Sequence, residues 1–241
     1  MNVLRISEEI ENVNNLNYIS DGIPEVVVDL DSRSVESTKK RVILDLNLKD
    51  ESDDDKMKIL KRELFDKISD VICIAYKYQA FNGKIKAMGL TPNEREILIA
   101  SIISADLEDD KRYVRSRIGS GYEYALDGLY NFKLQPLKCK WEEIAAYIPD
   151  YFTPEELKEF VSYLIGEKKG RKIYIDGETV YDGKCRKLER SRLIPGGSSR
   201  KIVKEALLSG AGEICVIGKL TECDVEGLRK YFGDKILLSR G

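Results

Sequence analysis

Apolar residues along this chain change their spacing twice. In the first fifty residues they come in short β-branched runs, EVVVDL (Glu25–Leu30) and RVILDL (Arg41–Leu46), which predict strands; MNVLRI is a further candidate. From Met57 the period becomes helical. Met57, Leu60, Leu64, Ile68, Val71, Ala75 and Tyr78 recur at intervals of three and four and predict one long helix ending near Phe81-Asn82-Gly83. Thr91-Pro92-Asn93-Glu94 has the residues of a capped helix start, and ILIASIISADL, apolar on every side, predicts a central helix. Val114, Ile118, Tyr122, Ala125 and Leu129 mark another helical face, which Gly119 and Gly121 should kink or break. Trp141, Ile144, Ala145 and Ile148 predict a short helix. Thr153-Pro154-Glu155-Glu156 opens another, on Leu157, Phe160, Val161, Leu164 and Ile165.

The last seventy residues mix the two periods. RKIYIDGETVYDGK predicts a hairpin turning at Asp176-Gly177. A helix over Arg200–Ser209, a strand over Glu213–Gly218, a helix over Thr221–Phe232 and a strand over Lys235–Ser239 predict a parallel pair joined by a crossover. The fold class expected is α+β or α/β. A β-rich segment (1–50) and a C-terminal α/β segment (168–241) flank a helical section (51–167), and the two ends can share one sheet within a single compact domain.

Composition narrows the chemistry. The 241 residues include no histidine, so Ser-His and Cys-His dyads and His-ligated metals are excluded. Five cysteines, none spaced C-x-x-C, form no zinc knuckle or disulfide framework; Cys73 and Cys215 lie in apolar runs and are expected to be buried. No stoichiometric metal and no cofactor are expected. The acidic run Lys49–Lys56 lacks the glycine and closing glutamate of a calcium loop, so Asp53, Asp54 and Asp55 read as solvated charge. No apolar run reaches the ~18 residues of a membrane span, and the N-terminus lacks the plan of a secretory signal; a cytoplasmic protein is expected.

The net charge of −2 is unevenly spread: Lys168–Lys204 holds twelve Lys/Arg against four Asp/Glu, leaving −10 on the rest. Within this segment Gly196, Gly197, Ser198, Ser199, Arg200 and Lys201 bring a Gly-Gly turn, two hydroxyls and two cations to a helix start. That arrangement can hold a phosphate, although neither G-x-x-x-x-G-K-[ST] nor G-x-G-x-x-G is present. The competing reading is a loop with Ser198 as N-cap. Lys184, Arg186, Lys187, Arg190, Arg192 and Lys204 form a wider basic patch that could meet nucleic acid or an acidic protein, or be a solvated face; with only Tyr174 and Tyr181 nearby, base stacking is not indicated. Trp141–Leu164 superficially resembles a helix-turn-helix half, but six acidic residues against one lysine would repel a phosphate backbone. Tyr122, Glu123, Tyr124, Asp127 and Lys133 crowd one stretch that could be catalytic or simply packing.

YALDGLYNFKL (Tyr124–Leu134), FTPEELKEFVSYL (Phe152–Leu164) and SSRKIVKEALLSGAGEICVIG with LRKYFGDKILLS (Ser198–Gly218, Leu228–Ser239) resemble, in order and spacing, the YtxC-like family of sporulation proteins. TPNEREILIASII also fits that family's mid-chain helix, so the resemblance covers roughly 57–241. It implies an endospore-forming bacterium, a cytoplasmic protein and no catalytic residues to carry over. The expectation is a non-enzymatic interaction or structural protein with protein partners. The alternatives are an anion- or nucleotide-binding protein or enzyme using Gly196–Lys201, and, more weakly, nucleic-acid binding through 184–204.

Overall fold

The computed structural model describes residues 3–24, 28–48, 54–166, 170–196 and 200–238. Along the chain run β1 (Val3–Glu9), α1 (Val13–Asp21), β2 (Val28–Ser37), β3 (Arg41–Leu48), α2 (Asp54–Asp70), a π-helical segment (Val71–Tyr76), α3 (Lys77–Lys84), α4 (Pro92–Ala105) and α5 (Leu107–Arg117). There follow β4 (Glu123–Ala125), α6 (Leu126–Gly128), a second π-helical segment (Leu129–Lys133), α7 (Gln135–Tyr147), α8 (Pro154–Gly166), β5 (Arg171–Asp176), β6 (Thr179–Asp182), β7 (Lys187–Leu188), α9 (Lys201–Leu208), β8 (Ala211–Val216), α10 (Glu222–Phe232) and β9 (Ile236–Leu238). The class is α+β, as expected. Of the run Glu25–Leu30, Val28–Leu30 falls in β2 and the rest lies outside the described residues, as do Lys49–Asp53 of the acidic run.

The two ends of the chain do not share a sheet. They build separate ones, ordered β2-β3-β1-β4 and β7-β6-β5-β8-β9. The first is completed from mid-chain. β1 pairs antiparallel with β3 and parallel with β4, Ile6 facing Tyr124. The helix expected through Tyr122 and Ala125 therefore stops at Arg117, and β4 takes its place. The free edge of β1 offers hydrogen bonds that the glycine-interrupted segment cannot supply to itself as a helix.

The chain divides into two compact units, Met1–Tyr76 with Asp109–Lys140, and Lys77–Glu108 with Trp141–Gly241, so the helical section contributes to both. In the first unit Leu4, Ile6, Val42, Leu44 and Leu46 project from the sheet, and α1 packs on β1 and β3. Leu16, Ile19, Leu60, Leu64 and Ile68 add to that unit's buried residues. In the second unit α4 is buried nearly all round, as its composition requires. Its start is a complete capping box: Thr91 Oγ1 accepts from Glu94 N–H at 3.3 Å, and the Glu94 carboxylate accepts from Thr91 N–H at 3.1 Å. α8 opens the same way on Thr153 and Glu156.

The second sheet is a two-layer arrangement. β5, β8 and β9 run parallel, as predicted for the closing pair, and β5–β6 is the predicted hairpin with Gly177 at φ 56°. Between β5 and β8 the backbones of Gly170 and Gly212 touch: a Cβ on Gly212 would lie 2.5 Å from Gly170 Cα, so only glycine fits. α8, α9 and α10 pack on one another and on this sheet, over the face that carries Ile173, Ile175, Val180, Ile214 and Val216. Alternate residues point the other way. Tyr174, Tyr181 and Cys215 are half-buried there, and Ile217 and Leu237 are exposed.

Candidate functional site

The predicted phosphate loop is partly described. Gly197, Ser198 and Ser199 lie outside the described residues. α9 begins at Lys201 with Arg200, not Ser198, in the N-cap position. Arg200 adopts a left-handed conformation (φ 57°, ψ 29°) that its Cβ disfavours. At Gly196 the α4 carboxylate of Glu96 lies so close to the backbone that an added Cβ would meet Oε1 at 2.1 Å. Glu96 Oε2 accepts from the buried Lys204 ammonium at 2.8 Å. The chain itself thus places an anion beside Gly196.

The wider basic segment is largely neutralised from within. Arg186 pairs with Asp182 (2.7 Å), while Lys187 (2.6 Å) and Arg192 (3.2 Å) share Glu189. Arg190 donates to the Leu208 carbonyl at the end of α9 (3.1 Å) and lies 3.8 Å from Glu108. Glu205, buried in α9, accepts the backbone N–H of Arg190 (3.0 Å) and of Ser191 (2.7 Å), which fixes the turn that carries Arg190 and Arg192. Burial pushes the Glu205 carboxyl up, against those hydrogen bonds. Lys184 is exposed. An excess of cations in the sequence therefore becomes a lattice of local pairs, since Asp182, Glu189, Glu96 and Glu108 are brought to it.

The residues of the crowded stretch near residue 125 are engaged separately. Asp127 forms a bidentate pair with Arg41 (2.6 and 3.0 Å), which holds its carboxyl below the usual range. Tyr124 packs edge-on against Phe65 and its hydroxyl donates to the Gly121 carbonyl. Tyr122 is exposed under the Lys61 ammonium, and Glu123 and Lys133 are exposed. The structure leaves Tyr122, Glu123 and Lys133 without a common centre.

Sequence reasoning missed a buried carboxylate. Leu4, Ile6 and Glu8 share the core face of β1, so Glu8 enters the interior with 0% exposure. The Tyr76 hydroxyl donates to its two oxygens (2.9 and 2.8 Å), Asn15 Nδ2 donates at 3.2 Å and Glu9 N–H at 2.9 Å. Tyr76 ends one π-helical segment, and Tyr130 of the other lies against its ring, centroids 4.6 Å apart. The alternation in MNVLRISEE was the available signal. Burial raises the Glu8 carboxyl above its ordinary value, outweighing its three hydrogen-bond donors, and burial with the Glu8 charge raises Tyr76 as well.

A raised carboxyl binds its proton more tightly in the folded than in the unfolded chain. Its contribution to stability is fully present below the unfolded value of ~4.3 and is lost as pH rises through the folded one. Glu8→Gln, neutral at every pH, should remove that dependence. Urea midpoints of the wild type should fall relative to those of Glu8→Gln as pH rises from the ordinary carboxylate range. Parallel curves for the two proteins would contradict the assignment.

Cys73 is buried as expected; Cys215, expected to be buried, is half-exposed because β8 turns it away from the helices, and Cys139, Cys185 and Cys223 are exposed. Among the described residues no group of three His, Cys, Asp or Glu could hold a metal ion, and no helix is long and apolar enough to cross a membrane. No family model, curated protein or solved structure matches the chain.

Proposed function

We propose that this chain is a non-enzymatic interaction protein of endospore formation, acting in the cytoplasm. The process and the compartment rest on the resemblance of Tyr124–Leu134, Phe152–Leu164, Ser198–Gly218 and Leu228–Ser239 to the YtxC-like sporulation proteins. The observation that carries the interaction role is the face of the second sheet turned away from α8, α9 and α10. Ile217 and Leu237 are exposed there beside Tyr174 and Tyr181, and the adjoining charges, Lys172 and Glu213, pair with each other at 2.5 Å. A face of aromatic and aliphatic side chains with its charge cancelled suits a protein surface of similar apolar, uncharged character. It suits neither a nucleic acid nor a strongly acidic partner. The pairing of the basic segment supports the same choice.

The test is genetic. In an endospore-forming host, deletion of the gene should reduce heat-resistant spores without slowing vegetative growth. A chain carrying Ile217→Glu and Leu237→Glu should accumulate folded, because exposed substitutions shift stability by only about 0.5 kcal/mol. It should nevertheless fail to restore spore yield. Normal sporulation of the deletion strain sinks the process; full complementation by the double variant sinks the surface.

A further inference from the structure

The stretch Lys111–Lys140 holds seven Lys/Arg against two Asp/Glu and is a second basic segment of the chain. Four of its cations are matched. Lys111 meets Asp70 and Asp66, Arg112 meets Asp109, Arg115 meets Asp66 and Lys140 meets Asp110. Arg117, Lys133 and Lys138 have no carboxylate partner among the described residues. Arg117 lies over the Tyr113 ring, 5.0 Å from its centroid, and Lys138 over the Tyr130 ring at 4.6 Å. The two carboxylates of the stretch are engaged on β1 and β3: Asp127 pairs with Arg41, and Glu123 is in register with Arg5.

The unmatched cations gather at the Gly119-Ser120-Gly121 loop, which joins α5 to β4. Lys61 of α2 donates to the Ser120 carbonyl at 3.3 Å, and its ammonium stands 4.2 Å from the centroid of the Tyr122 ring. It too has no carboxylate partner among the described residues. Lys133 reaches the same loop: its ammonium would lie 3.8 Å from a Cβ on Gly119. Bond lengths along the loop then hold the two ammoniums within about 15 Å of each other. Arg117 enters the loop two residues before Gly119. Tyr122 and Lys133 share no reacting centre, but both stand beside this loop. Tyr122 is 47% exposed and Phe132, next to Lys133, is 84% exposed. Phe132 is presented by the π-helical segment Leu129–Lys133, which is anchored through Tyr130 on Tyr76. The Lys138 ammonium touches the side chain of Asn131 at 3.5 Å, so cations flank Phe132 on both sides in the chain.

Exposed rings among unmatched cations suit one kind of polyanion. A single-stranded nucleic acid offers unpaired base faces to the rings and phosphates to the cations. A duplex hides its base faces, and an acidic peptide has charge but no flat rings to stack. We propose that the surface around the Gly119–Gly121 loop binds a single-stranded nucleic acid. Phe132 and Tyr122 are its stacking platforms, and Lys61, Arg117, Lys133 and Lys138 meet the phosphates. The net charge of −2 does not oppose this, because a charge more than about 10 Å away is largely screened at physiological salt. The surface belongs to the first unit and does not depend on the sheet face of the second, proposed above for a protein partner.

Fluorescence anisotropy of the full chain with labelled oligouridylate and oligothymidylate of about a dozen residues tests this. At least one of the two strands should bind more tightly than a duplex of the same length, and the tighter of the two names RNA or DNA as the ligand. Affinity should fall between about 50 and 200 mM salt with a log–log slope of about −3, from about −0.7 for each of four phosphate contacts. Phe132→Ala should weaken binding about tenfold, the loss of one stacked base, without lowering the melting temperature of a chain whose ring there is exposed. Lys133→Gln should lose less affinity and make the salt slope shallower by about 0.7. The Ile217→Glu, Leu237→Glu chain should bind the strands as the wild type does, so failure here and failure of the protein-partner surface are told apart. The proposal is overturned if neither strand binds at about 50 mM salt, or if Phe132→Ala binds as the wild type does. It is overturned equally if polyglutamate or phosphatidylglycerol vesicles bind more tightly than the strands, which would assign the surface to an acidic protein or a membrane.

Discussion

Lys111→Met should lower the unfolding free energy by about 3–5 kcal/mol, the usual cost of leaving one member of a buried ion pair alone. Lys111 and Asp70 have side chains 1% and 3% exposed, and the ammonium meets Asp70 Oδ1 at 2.5 Å. Asp66 offers a second carboxylate at 3.0 Å but is itself part-exposed, and the Tyr18 hydroxyl donates to Asp70 Oδ2 at 2.9 Å. Without Lys111, Asp70 keeps hydrogen bonds but loses its counter-charge. The double change Asp70→Asn with Lys111→Met removes both charges and should be less damaging than Lys111→Met alone, since a buried pair is worth little against neutral groups of similar volume. Urea titrations of the wild type, Lys111→Met, Asp70→Asn and the double variant, at unchanged m, give the comparison. A Lys111→Met protein within about 1 kcal/mol of wild type would show that water reaches Asp70 and that the pair is not a buried one.

The second large effect is expected at Glu205. Its carboxylate is the acceptor for two backbone N–H groups, those of Arg190 and Ser191, inside the second unit. Glu205→Ala leaves both without an acceptor, at about 1–3 kcal/mol each. Glu205→Gln keeps one acceptor oxygen and replaces the other with a donor, so it should lose about half as much. The alanine variant should also free the Arg190–Leu193 turn, so that its backbone amides lose hydrogen-exchange protection before those of β5 and β8. Retained protection at Arg190 and Ser191 in Glu205→Ala would mean that the turn is held by its own 3₁₀ bonds.

Both effects concern charges that the sequence displays without explaining. Asp70 and Lys111 are forty-one positions apart, on α2 and α5, and read singly as surface residues of amphipathic helices. Glu205 reads as the polar side of α9, yet every residue from Ile202 to Leu208 is buried. The same holds for the basic segment, whose local balance of +8 is compatible with an external anionic partner or with a solvated face. Three of its cations, Arg186, Lys187 and Arg192, are paired by nearby Asp182 and Glu189. Lys204 meets Glu96, one hundred and eight positions away.

Periodicity, capping residues and turn glycines are local properties. They determined the α+β class, the capped starts of α4 and α8, the β5–β6 hairpin and the parallel β8–β9 pair, because each rests on interactions within a few residues or between neighbouring elements. Tertiary structure decided whatever depends on distant partners. It drew Glu123–Ala125 into a strand beside β1, where the unpaired edge outweighs a helical tendency already weakened by Gly119 and Gly121. It split the helical section between two units and gave each end of the chain its own sheet. It also chose which charges are matched from within. Hydrogen bonds and ion pairs of that kind are set by which surfaces meet when the apolar faces are buried, and no window of sequence contains both partners.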